Sequence, residues 1–218
     1  MRAAARIGKE SGLFRVPDVV TVDEAERSLT VEWVDTFRPL GSLQWPSAEH
    51  TDVWSRLGRA IRAIHEGEWI DAQGGRRPLF HGDLDPYNVG LDGDDRLVFL
   101  DWDPAPGLGE LEVSERERDL GLIQFYLVTL FVTRNRPRGY MATSIHQLVG
   151  GYCEAGDGWS PKDIHQCGLE VAAALARMSA VPAGPIFQRS YRWLVRRRAR
   201  NLLCAMGPMS KLSSEANA

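Results

Sequence analysis

Apolar and polar positions change their period several times along this 218-residue chain, and each change marks an element. Residues 2–10 are Ala-rich, with Gly12 close behind, the composition of a helix and its stop. Val19 to Val22 and Leu29 to Val34 are rich in β-formers and are separated by the polar stretch Asp23 to Ser28, which predicts two antiparallel strands. Val53, Trp54, Leu57, Ile61 and Ile64 recur at helical spacing within a helix expected over Glu49 to Glu66. Trp69 to Arg77 reads as a polar connection. Two short apolar strands, Val89 to Leu91 and Leu97 to Leu100, flank the turn cluster Asp92-Gly93-Asp94-Asp95 and predict a hairpin.

The most apolar run, Leu120 to Val132, is interrupted by Gly121, Gln124 and Thr129 and is too short to cross a bilayer, so it reads as a buried helix ending near Thr133. Pro104 to Gly109 ahead of it is a Pro- and Gly-rich loop, and Glu110, Glu112, Glu115 and Glu117 form an acidic run, read as a solvated face. Further helices are expected over Met141 to Cys153, from the capped start Ser160-Pro161-Lys162-Asp163 to about Ser179, and after Pro182 to Pro185. The last carries Arg189, Arg192, Arg196, Arg197, Arg198 and Arg200, read as solvated or paired, with Trp193, Leu194, Leu202 and Leu203 packed.

Composition narrows the function classes. The apolar fraction of 44% and charged fraction of 25% are those of an ordinary globular protein. A net charge of −3 argues against a nucleic-acid binder. Cys153, Cys167 and Cys204 are too scattered for a disulfide framework or a C-x-x-C metal site, and His165 with Cys167 has no second pair to complete one. These features, with no signal-type apolar core in MRAAARIGKESG, lead to the expectation of a cytoplasmic chain without a membrane partner.

The chemistry concentrates in Leu79 to Asp103. His81-Gly82-Asp83 opens the stretch, Asn88 follows Asp83 by five positions, and the second strand of the hairpin ends on Asp101. A hairpin brings its open ends together, so Asn88 and Asp101 are expected side by side, with Asp83 in the loop that feeds the first strand. One carboxylate, Asp83, is then free to meet a substrate hydroxyl. The Asn88 amide oxygen and the Asp101 carboxylate are left for a hard cation such as Mg²⁺, which prefers oxygen ligands. Gly82 permits a tight path, and His81 reads as a brace for the loop. Asp85 either faces a substrate amine or caps the turn before Pro86. His65, at the end of its helix, reads as structural.

A catalytic-loop Asp, an Asn five residues on and a metal-binding Asp after a hairpin follow the phosphoryl-transfer template. With Gly82 in place of the Arg of H-R-D, and Trp102-Asp103 in place of the Phe-Gly of D-F-G, the segment resembles the aminoglycoside phosphotransferase family of small-molecule kinases. The resemblance implies an α+β, protein-kinase-like fold with a mostly helical C-terminal lobe that carries the catalytic hairpin. It divides the chain into 1–36, a remnant of the N-terminal lobe and hinge, and 37–218, the catalytic lobe. It implies ATP or GTP with Mg²⁺ as cofactors and a small-molecule hydroxyl acceptor, such as an amino sugar or amine. Asp83 becomes the catalytic base, with Asn88 and Asp101 as metal ligands. Glu32, Trp33 and Val34 become the hinge that meets the adenine through backbone groups, and His81 and Asp119 become structural supports. Asp103 is an added acid behind the metal ligands.

The family's phosphate-covering loop, strand Lys and helix Glu have no counterpart here. Lys9 is the only lysine before residue 162 and falls in the first helix, and Glu10 falls at that helix's end. The expectation is therefore an N-terminally truncated family member, with a pseudokinase that binds without transfer as the alternative. A metal-dependent hydrolase using Asp83, Asp101 and Asp103 would leave the Asp83–Asn88 spacing unexplained.

Overall fold

The computed structural model describes residues 1–43, 52–102, 114–133, 138–154, 158–178 and 186–206. Among these the architecture is α+β, with six α-helices and small antiparallel sheets. Helix α1 (Arg2–Ser11) ends where Gly12 adopts φ 67°, and the Gly12 N–H closes on the Gly8 carbonyl, so the expected glycine stop is a left-handed cap. Strands β1 (Val19–Asp23) and β2 (Ser28–Val31) pair antiparallel, Val22 opposite Leu29. Strand β3 (Arg38–Pro39) pairs with β6 (Val89–Leu91), which pairs with β7 (Leu97–Phe99) to give the order β3-β6-β7. Arg15 adds one further link on the outer edge of β7, exchanging hydrogen bonds with Leu97 and Phe99.

Residues 69–77 depart from the expected polar connection. β4 (Glu68–Ile70) and β5 (Arg76–Pro78) form their own antiparallel hairpin. The turn is organised by Asp71, whose Oδ1 accepts the N–H groups of Gln73 and Gly75 while Oδ2 pairs with Arg77 at 2.8 Å. A side chain that mimics a backbone turn can make a hairpin without alternating apolar residues.

Helix α2 (Val53–Glu66) buries Trp54, Leu57, Ile61 and Ile64, the stripe read from the sequence. It crosses α4 (Arg138–Cys153) at two glycines. A Cβ on Gly58 would lie 2.1 Å from the Leu148 carbonyl oxygen, and one on Gly151 would lie 2.1 Å from that of Ser55. The helices thus approach backbone to backbone.

Helix α3 (Glu115–Thr133) is buried along most of its length and packs against α4, α5 (Pro161–Met178) and α6 (Ile186–Met206). Gln124, a polar break in its apolar run, donates from Nε2 to the carbonyls of Leu120 and Ile164, so it joins α3 to α5. The cap of α5 has the expected reciprocal form. Asp163 accepts the Ser160 N–H at 3.0 Å, and Ser160 Oγ accepts the Asp163 N–H at 3.3 Å. On α6, Leu203 is buried and Arg196 donates to the Leu175 carbonyl, while Arg197, Arg198 and Arg200 are exposed.

Asp103, the loop Pro104 to Gly109, Glu110, Glu112 and the expected helix start at Glu49 lie outside the described residues, as do the side chains of Trp193 and Leu194. No helix among the described residues is long and apolar enough to cross a membrane.

Candidate functional site

The β6–β7 hairpin has the expected register, with Val89 opposite Phe99. Its turn is held by Asp92, whose carboxylate accepts the N–H groups of Asp94 and Arg96 and the Arg96 Nε. Burial favours the protonated form of Asp92, but the bonds from Arg96 outweigh it and keep the carboxyl below its ordinary value. Beyond the strand ends the Leu100 N–H donates to the Asn88 carbonyl at 2.8 Å, so the pairing continues one step further. Asn88 and Leu100 therefore face one another, and Asp101 leaves the same end of the hairpin with φ 54°. A left-handed backbone at a non-glycine residue is uncommon and here turns the chain as it leaves the strand.

The loop from His81 to Asn88 is fixed from three sides. Asp119, buried within α3, accepts the N–H groups of His81 at 2.6 Å and Gly82 at 2.9 Å. Gly82 has φ 93°, a conformation that L side chains rarely adopt. His81 is 1% exposed. Its Nε2 lies 2.8 Å from the Leu100 carbonyl and its Nδ1 accepts the Asp83 N–H at 3.3 Å. Those two contacts fit a neutral ring protonated on Nε2, and burial lowers the His81 pKa in the same sense. On the third side the Asp85 carboxylate accepts the Tyr87 N–H at 2.7 Å. Of the two roles open to Asp85, turn capping is the one with a bond in the structure.

Asp83 is half-buried, and its carboxylate accepts Asn88 Nδ2 at 3.2 Å; the same Nδ2 also donates to the Asp83 carbonyl at 3.0 Å. Asn88 thus spends its donor on Asp83 and keeps its amide oxygen as an acceptor. Burial, then the charges of Asp85 and Asp101, raise the Asp83 pKa. Burial also raises that of Asp85. No Lys or Arg among the described residues pairs with Asp83, Asp85 or Asp101. Among the described residues the cluster is a concentration of negative charge with no paired cation, beside an amide oxygen with no bonded donor, and oxygens of this kind suit a hard divalent cation. No group of three or more His, Cys, Asp or Glu side chains suited to a metal occurs among the described residues, so from these a cation here would take Asn88 and Asp101.

Asp119 immediately precedes the apolar run Leu120 to Val132, and an acid at a helix start there would be favoured by the dipole. The helix begins at Glu115, so Asp119 lies a turn inside it and a different cause operates. Burial would raise its pKa, but the bond from His65, the charges of His65 and His81, and the His81 N–H together lower it. His65 is completely buried and joins the Asp119 carboxylate at 3.3 Å to the Tyr152 hydroxyl at 2.9 Å. This chain of bonds connects the loop to α4. Nothing in the spacing of residues 65, 119 and 152 gives it away. Tyr126 lies close enough to Asp85 and Asp83 that their charges, after burial, help push its hydroxyl up to about 12.

Glu32, Trp33 and Val34 sit apart from this cluster in sequence and follow β2. The Glu32 carboxylate is engaged by Arg15 and by the Asp18 N–H, and the Glu32 N–H donates to the Asp18 carbonyl. Trp33 is 84% exposed and Val34 is buried. The structure therefore unites His81, Asp83, Asn88, Asp101 and Asp119 through hydrogen bonds and charge, and links Glu32 to them only indirectly, through Arg15 on the edge of β7. No family model, no curated protein and no solved structure matches this chain.

Proposed function

We propose that this chain has a protein-kinase-like fold of the aminoglycoside phosphotransferase type and that it transfers the γ-phosphoryl group of ATP or GTP to a hydroxyl of a small molecule. The observation that carries the reading is the loop itself. A half-buried carboxylate, Asp83, is held at a fixed position by Asn88 and His81, with Asp101 close enough to act on its charge.

Phosphoryl transfer asks the protein mainly for positioning and charge balance. Asp83 orients the acceptor hydroxyl and takes its proton late; a raised pKa makes it a better acceptor of that proton. The Asn88 amide oxygen and the Asp101 carboxylate would hold Mg²⁺, which when bound neutralises charge on the transferring phosphate. The N–H groups of Trp33 and Val34 have no hydrogen-bond partner among the described residues and are available to a base edge. Asp85 and Tyr126 place an acid and a hydroxyl beside Asp83, a surface suited to an acceptor bearing an amine.

Label transfer from γ-labelled ATP in Mg²⁺, across a panel of amino sugars and amino alcohols, tests the reading. Label on an acceptor is the expected result. Nucleotide binding by calorimetry without transfer to any acceptor would favour a pseudokinase instead.

A further inference from the structure

A cavity of about 540 Å³ lies on another side of the His81–Asn88 loop, between the first turns of α1, the β4–β5 hairpin and the residues that lead into the loop. Its volume is that of a small-ligand site. Asp83, Asn88 and Asp101 do not line it. We propose that this cavity binds a flat aromatic carboxylate and that its occupancy is felt at Asp83 through His81.

The wall chemistry sets the ligand class. One side presents Trp69 and Ile70, which are 42% and 61% exposed, an unusual display of large apolar surface on a short hairpin. The floor is Phe80, His81 and Trp102, and the last two rings are in contact, with centroids 4.8 Å apart. A planar aromatic group between these surfaces buries its faces against rings and aliphatic carbon.

The charged groups at the rim are unequal. Glu68 is taken up by Arg76 at 3.1 Å and Arg6 by Glu10 at 3.0 Å. Arg2 makes no ion pair among the described residues. Among the described residues the uncommitted side-chain charge at the rim is therefore positive and suits an anion, and a planar guanidinium matches a carboxylate in two parallel bonds.

Coupling follows from the floor. His81 is among the residues that line the cavity, and its ring also bonds the Asp83 N–H and the Leu100 carbonyl. Trp102 is the neighbour of Asp101. A ligand pressed against this pair favours the bonded arrangement of the loop over alternatives in which His81 swings out. Binding itself does not depend on the phosphotransferase reading, so the two stand or fall separately.

Calorimetric titration with 2-naphthoate tests the site, with 2-naphthylmethanol as the neutral probe. One saturable site is expected, at least tenfold weaker for the alcohol. Arg2→Glu should weaken naphthoate at least tenfold. Ile70→Asp, at an exposed position where folding is not at stake, should do the same by placing an anion at the mouth. Val22→Asp, on the exposed face of β1, should leave the affinity unchanged. Absence of saturable binding, equal affinity in both cavity variants, or loss of binding in Val22→Asp would overturn the site. Hydrogen exchange in peptides covering 79–102 should slow on binding, and unchanged exchange at saturation would overturn the coupling.

Discussion

Asp119 holds the backbone of His81 at 2.6 Å from a position inside a buried helix. The same carboxylate takes the Gly82 N–H and His65 Nε2, so one side chain satisfies three donors that have no water to turn to. Asp119→Ala would leave those donors buried and unpaired. Breaking a buried charged partnership of this kind costs about 3–5 kcal/mol, against the roughly 1–3 kcal/mol of a single lost partner. Urea denaturation of the variant should show a loss in the larger range. Asp119→Asn keeps the shape but turns an amide NH₂ toward a donor, so it should also be destabilised.

The pH dependence of that difference has a definite sign. Asp119 has a folded-state pKa below its unfolded one. Its contribution is present above the unfolded value of about 3.9 and is lost as pH falls through the folded value. The stability gap between wild type and Asp119→Asn should therefore be full at neutral pH and close in acid. His81 adds a second slope. Its folded pKa is also lowered, so the unfolded chain takes up a proton first, and stability should decline as pH falls below about 6.5. His81→Asn should flatten that limb of a melting-temperature profile.

Asp83 has the opposite sign. Burial and the carboxylates of Asp85 and Asp101 raise its folded pKa, so it destabilises the fold once pH has risen through that value. Asp83→Asn should raise the melting temperature at pH 7, because the amide oxygen still accepts the bond from Asn88 Nδ2. Millimolar Mg²⁺ should raise the melting temperature of wild type more than that of Asp101→Asn. Equal responses would remove Asp101 from the proposed cation site.

The α2–α4 crossing gives a test of packing alone. Gly58→Ala places a methyl 2.1 Å from the Leu148 carbonyl oxygen, a backbone atom that cannot rotate away. Overpacking costs about 1–3 kcal/mol and occasionally more, whereas helix propensity returns about 1 kcal/mol. Denaturant unfolding should show a net loss. A neutral or stabilised variant would mean that the helices separate easily.

The elements were legible where their signal is local. The glycine stop of α1, the stripe on α2, the β6–β7 hairpin and the Ser160–Asp163 cap each arise from residues within a few positions of one another. The β4–β5 hairpin was not legible, because Asp71 rather than an apolar alternation makes its turn. In the site, Asn88 and Asp101 flank one hairpin and Asp83 lies in the loop that feeds it, a placement that spacing alone suggests. The link from Asp119 through His65 to Tyr152 joins three helices, and no periodicity brings such distant positions together. The resemblance implied Asp119 as a support of the loop, but the sequence did not show that α3 starts at Glu115, which puts the acid a turn inside the helix rather than at the dipole.

Asp83 is proposed to receive the acceptor proton in phosphoryl transfer. Single-turnover transfer from γ-labelled ATP in Mg²⁺ tests it most directly, comparing wild type with Asp83→Ala under conditions where both remain folded. General-base contributions are typically about 10²–10⁴-fold, and the rate for the variant should fall by that order. Transfer by Asp83→Ala at the wild-type rate would contradict the account.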